Sequence, residues 1–99
     1  MAAVRAEPPV TSAKPPVTSQ EDWESELLPW IRRVEAALQI QDCSMDVDRV
    51  HLMTAVVARD VQRSMAPISS FLVGYAMGRG AGLEEACQIV EQVTTDVAA

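Results

Sequence analysis

The sequence predicts an all-α fold, a compact four-helix bundle-like domain over residues 19–99 that follows a disordered N-terminal arm over residues 1–18. Three observations carry this. Apolar residues recur at steps of three and four along the segments from Trp23 to Leu38, from Val47 to Val61 and from Leu83 to Val97, the spacing of one helix face. The stretch 64–80, SMAPISSFLVGYAMGRG, holds the longest run without a charge. No segment alternates apolar and polar residues as a half-buried strand would.

At 99 residues and 48% hydrophobic, the chain has room for one domain and no second core. A formal net charge of −6 disfavours a phosphate-backbone binder, which needs clustered Lys and Arg, so nucleic acid is not expected as a partner. The first residues lack the apolar stretch of a signal peptide. The apolar run at 65–78 is too short to span ~30 Å of hydrocarbon as a helix. No membrane association is expected, and the expected location is the cytoplasm. Cys43 and Cys87 are far apart, and His51 is the one nitrogen ligand available to them, so the expectation is two free thiols and no metal site.

The arm is rich in Pro, Thr, Ser, Val and Ala and contains the repeat PPVTS at 8–12 and 15–19. Such a segment buries too little apolar surface to offset its chain entropy, and its paired prolines favour extended polyproline II. No site is assigned to it, and no long-range contact is expected before Ser19.

From Ser19 the pattern becomes helical. Ser19 or Gln20 suits the cap, and Glu21, Asp22 and Glu24 suit a first turn, where carboxylates complement the helix dipole. Trp23, Leu27, Trp30 or Ile31, Val34 and Leu38 form one stripe, on which Trp30 reads as a core or core-edge residue. Pro29 interrupts it; the expectation is a kink or break, with Pro29 opening the main helix through Leu38.

Ser44 or Asp46 can cap a second helix from about Val47 to Met65. Val47, Val50, Met53, Val57 and Val61 face inward by their spacing. Arg49, Leu52, Val56, Arg59 and Arg63 form another stripe, which would align three arginines on one edge. Guanidinium groups bind carboxylates and phosphates through paired donors. The edge is therefore either a docking site for an acidic partner or phosphate, or it is neutralised internally by Glu84, Glu85 or Glu91, or locally by Asp60. Asp60 aligns with Met53 and Val57, which predicts partial burial and an arginine partner. His51 reads as a surface histidine.

The stretch 64–80 is expected to form a buried central helix starting near Pro67, whose fixed φ suits a first turn. Ile68, Phe71, Tyr75 and Gly78 share one face, and Leu72, Val73, Ala76 and Met77 cover the others, so the cylinder is apolar almost all round. Gly74 and Gly78, four residues apart, are read as a place where a neighbouring backbone crosses closely. Gly80 and Gly82 end the helix, with Arg79 favouring its negative end. In the last helix Leu83, Ala86, Val90, Val93 and Val97 form the apolar stripe, with Glu84 and Glu85 in the first turn.

One resemblance adds to this reading. Trp30 with Val34 and Leu38, the acidic MDVD at 45–48, Arg63, Ala66-Pro67, the run Ser69-Ser70-Phe71-Leu72-Val73-Gly74 and Gly78 together resemble a small helical domain of unknown function. That family is found mainly in actinobacteria, alone or joined to molybdenum cofactor guanylyltransferase. The likeness covers about residues 30–80, and APISSFLVG is its most specific part; Pro29 and the repetitive tail depart from it. It implies a link to molybdopterin cofactor maturation by gene context and assigns no catalytic residue.

The function expected is that of a non-catalytic module that binds a protein partner or its own copy, with no cofactor. A serine without a base, one histidine and two separated cysteines do not assemble a nucleophile. The alternative is a small-molecule or phosphate binder in which Arg59 or Arg63 joins Ser69, Ser70 and the N–H groups opening the central helix. The candidate partner or anion contacts are thus Arg49, Arg59, Arg63, Ser69 and Ser70.

Overall fold

A computed structural model describes residues 15–41, 43 and 45–98. Among these the fold is all-α. Four helices, α1 (Leu28–Leu38), α2 (Val47–Asp60), α3 (Ala66–Gly78) and α4 (Leu83–Ala98), are joined by short turns, and the described residues contain no strand. The chain divides into two units, Met1–Asp48 and Arg49–Ala99.

In the first unit the chain enters α1 through two irregular turns. Val17–Ser19 form a 3-10 turn closed by the Ser19 hydroxyl, which donates to the Pro16 carbonyl at 2.8 Å. Trp23–Leu27 form a π-helical turn in which the Leu27 N–H reaches the Asp22 carbonyl at 3.1 Å. Pro29 then falls in the first turn of α1, directly after the π-helical turn, so the N–H it lacks belongs to the place where the winding changes from π to α. The break expected at Pro29 is thus a change of helical winding just before it. Most of the arm lies outside the described residues, but the expectation of no long-range contact before Ser19 fails at Thr18. Its backbone N–H donates to an Asp48 carboxylate oxygen at 3.3 Å, and its hydroxyl donates to the other oxygen. The second PPVTS copy is therefore tied down by a carboxylate 30 residues away.

Trp30 is 64% exposed, which overturns its reading as a core residue; Trp23, Leu27, Ile31 and Val34 are half-buried instead. Glu35 is the buried residue of α1, with Arg32 one turn before it at 3.6 Å. α1 closes on Gln39 in the left-handed region, φ 62 and ψ 40, while the Ile40 N–H bonds the Glu35 carbonyl at 2.9 Å. This is the geometry glycine usually supplies at a helix end.

The second unit has the apolar core. Met53 and Val57 of α2, Val73 of α3 and Ala86 and Cys87 of α4 are buried together, with Met77, Leu83 and Val90 packed against them. α2 stops at Asp60, short of the expected Met65. Val61 and Gln62 both direct their N–H groups to the Val57 carbonyl, Gln62 is extended, and a separate 3-10 turn, Arg63–Met65, leads into α3. A continuous helix would place Pro67 in its interior, where the ring collides with the carbonyl four residues back. The chain instead restarts, and Pro67 occupies the first turn of α3. Val61, expected inside, is 49% exposed as a result.

α3 begins where expected but is not the buried centre of the fold. Only Ser69 and Val73 are buried in it, because it packs through one narrow face, whereas its apolar character runs all round. The close crossing expected at Gly74 and Gly78 is also absent: a methyl group added at either would meet no atom within 4 Å. Gly80, at φ 110, closes α3 with its own N–H on the Met77 carbonyl and that of Ala81 on the Ala76 carbonyl, both at 3.0 Å. The buried face of α4 runs through Ala86, Cys87 and Thr94, with Leu83 and Val90 half-buried, while Val93 and Val97 face solvent. The stripe is thus rotated from the expected one toward a small thiol and a hydroxyl. Thr94 can be buried since its hydroxyl donates to the Val90 carbonyl at 2.7 Å.

Candidate functional site

Two features of the second unit bear on function: arginines of α2 that are engaged by carboxylates of the same unit, and an apolar face that stays open. On α2, the Arg49 side chain is 14% exposed and reaches two carboxylates of α4. Its Nε donates to Glu84 at 2.7 Å, and Nη1 and Nη2 donate to the two oxygens of Glu91 at 2.7 and 2.8 Å. Glu84 and Glu91 are seven residues apart, two turns of α4, and so lie on one flank within reach of a single guanidinium. The hydrogen bonds to Glu91 and Glu84 push the Arg49 pKa well above its ordinary value, and the hydrogen bond from Arg49 holds the Glu84 carboxyl below its ordinary range. This fork is a charge-assisted clamp between two helices.

Arg59 closes locally. Its Nε and Nη2 donate to the two oxygens of the neighbouring Asp60 at 2.8 and 3.0 Å, which lowers the Asp60 pKa. Asp60 is partly buried and paired with an arginine, as its register suggested. Arg63 is exposed on the turn before α3, so the three arginines do not share one helical edge: α2 has already ended. Ser69 is buried and donates its hydroxyl to the Ala66 carbonyl of its own helix at 2.6 Å, while Ser70 is half-buried on the same helix. His51 is exposed. Among the described residues no group of three or more His, Cys, Asp or Glu side chains is placed to hold a metal ion. No helix there is long and apolar enough to cross a membrane. Cys43 is exposed and Cys87 is buried.

The open face belongs to α3. Ile68, Phe71, Leu72 and Tyr75 are 49%, 69%, 57% and 59% exposed, and α3 has no charged residue from Ala66 to Gly78. Phe71 and Tyr75 stack at 6.4 Å between ring centroids, and the Arg79 guanidinium lies 5.9 Å from the Tyr75 ring. The spacing i, i+3, i+4, i+7 makes these four a continuous stripe. Sequence reasoning assigned all four to the core. The signal to the contrary was present: a helix that is apolar all round needs neighbours on every side, and a chain this short has few to supply.

A family model described as a domain of unknown function, DUF6457, matches residues 22–99. No curated protein and no solved structure matches the chain.

Proposed function

The chain belongs to the DUF6457 family of domains of unknown function, and from that premise we propose that it is a non-catalytic helical protein-interaction module. The observation that carries the reading is the exposed stripe of Ile68, Phe71, Leu72 and Tyr75 on an uncharged helix. Contiguous apolar patches of a few hundred Å² mark interaction sites on monomeric proteins, and aromatic residues are enriched where partners dock. The phosphate-binding alternative has less support. Arg59 is engaged by Asp60, and the buried Ser69 hydroxyl is spent within its own helix.

The partner we propose is a protein of molybdopterin cofactor maturation, on the resemblance of residues 30–80 to a domain found joined to molybdenum cofactor guanylyltransferase. The test is direct binding of the full chain to that purified enzyme, side by side with a Leu72→Glu variant. Saturable binding that Leu72→Glu abolishes is expected. Absence of binding at about 100 µM, an affinity too weak for a dedicated module, overturns the cofactor link. Failure of the full chain to retain any partner from a native extract overturns the interaction reading itself.

A further inference from the structure

We infer that the Asp48 carboxylate is a receptor for the pentapeptide Pro-Pro-Val-Thr-Ser, and that the first copy of this repeat, at 8–12, takes the place of the second, at 15–19, in a minor population of molecules. The arm then has two docked registers, one repeat apart. The second copy shows what the receptor reads. The Thr18 N–H and hydroxyl both donate to Asp48, one to each carboxylate oxygen, and hydrogen bonds to an ionised acceptor are roughly twice as strong as neutral ones. The Pro16 carbonyl accepts the Ser19 N–H at 3.0 Å and the Ser19 hydroxyl at 2.8 Å, which closes the turn that presents Thr18. Pro16 itself stands at φ −57 and ψ 147. Its ring holds φ before docking and so lowers the entropy lost on docking.

On the arm's side, every one of these groups belongs to the repeat. Pro9, Val10, Thr11 and Ser12 stand in the same order as Pro16, Val17, Thr18 and Ser19. The first copy, which lies outside the described residues, therefore carries the same donors, the same acceptor and the same proline. One further bond of the turn takes its donor from outside the repeat, the Gln20 N–H on the Val17 carbonyl at 3.1 Å. Ala13 follows the first copy as Gln20 follows the second, and any backbone N–H serves. Thr18 is exposed and Asp48 half-buried, so nothing in the core has to open for one copy to replace the other. The copies differ in their tether. With the second copy seated, residues 20–22 lead into the turn at Trp23–Leu27. With the first copy seated, residues 13–22 span the same gap, a connection about three times longer, and loop-closure entropy then favours the second register by about sixfold.

Amide NMR spectra of the full chain test the exchange of copies. In wild type the Thr18 amide proton is expected downfield of its random-coil position, and that of Thr11 displaced by about one-sixth as much. Thr18→Pro removes from the second copy both the N–H and the hydroxyl that Asp48 accepts. It is expected to move the Thr11 amide severalfold further downfield, toward the position Thr18 holds in wild type. Thr18→Val, which keeps the N–H and loses the hydroxyl, is expected to give a smaller shift in the same direction. Asp48→Ala in either background is expected to return Thr11 to its random-coil position. Amide signals of α3 and α4 that stay in place show that each variant keeps its fold. A wild-type Thr18 amide at its random-coil position overturns the receptor. A Thr11 amide that both Thr18 variants leave in place, or that moves equally without the Asp48 carboxylate, overturns the second register.

Discussion

Replacing Gly74 by Ala tests the placement of α3 most sharply, because the two readings of this glycine differ in sign. Its four-residue spacing from Gly78 suggested a tight helix crossing, in which any added side chain overpacks the contact and costs about 1–3 kcal/mol. The structure places Gly74 on an exposed part of α3, with no atom within 4 Å of an added methyl group. The substitution then adds no clash and removes the backbone freedom that glycine has in the unfolded chain. Gly74 stands mid-helix, so the full propensity difference of about 0.8–1 kcal/mol applies. In a domain of this size that gain raises the melting temperature by roughly 4–8 °C. Gly78 is the last residue of α3, where fraying reduces the benefit, so Gly78→Ala gains less. Urea denaturation of wild type and both variants, with the slope checked for constancy, measures the order. A loss of 1 kcal/mol or more at Gly74 would refute the open placement of this face and restore the close crossing.

The other predictions concern single side chains. Arg49→Met leaves Glu91, 24% exposed, without its bidentate partner, while Glu84, 61% exposed, is already screened by water; the variant should lose about 2–3 kcal/mol in urea denaturation, and Glu91→Gln in the same background should recover part of it. Glu84 and Asp60 have lowered pKa values in the folded chain through Arg49 and Arg59. Their contribution is therefore present above the ordinary carboxylate range and lost as pH falls through the lowered values, so the urea midpoint should drop on acidification, less steeply in Glu84→Gln. Gln39 holds φ 62, so Gln39→Gly should stabilise by about 0.5–1 kcal/mol in thermal melts. A thiol reagent should modify Cys43 quickly and Cys87, 0% exposed, only on unfolding.

Helix existence and type were legible in the sequence because periodicity is a local property. The starts at Val47 and near Pro67, the turn at Gly80, the inward Met53 and Val57 and the Asp60–Arg59 pair all follow from spacing within one segment. What was not legible depends on partners across space. Spacing alone aligns the arginines only if α2 continues to Met65, and the break at Gln62 keeps Pro67 out of a helix interior. The α4 face is rotated toward Cys87 and Thr94, the second with a hydroxyl that its own helix satisfies, and no hydrophobicity pattern gives either away. Gln39 at a left-handed position breaks the glycine rule that would have marked the end of α1.

α3 shows why burial was the hardest property to read. Apolar composition states that a helix tolerates burial, and how much of it is buried depends on what else the chain provides. The sealed core is small: Met53, Val57, Val73, Ala86 and Cys87, with α3 contributing one of the five. Phe71, one of the two aromatic side chains of α3, is its most exposed large apolar residue, so the helix does not spend its greatest apolar area on the fold. The residues that anchor α3, Ser69 and Val73, and those that face outward, Ile68, Phe71, Leu72 and Tyr75, occupy different sides of the same thirteen-residue helix. Outward substitutions therefore leave the Met53–Val73–Cys87 contact untouched. The fold and the outward face can be altered independently, which is what the proposed docking role of α3 requires.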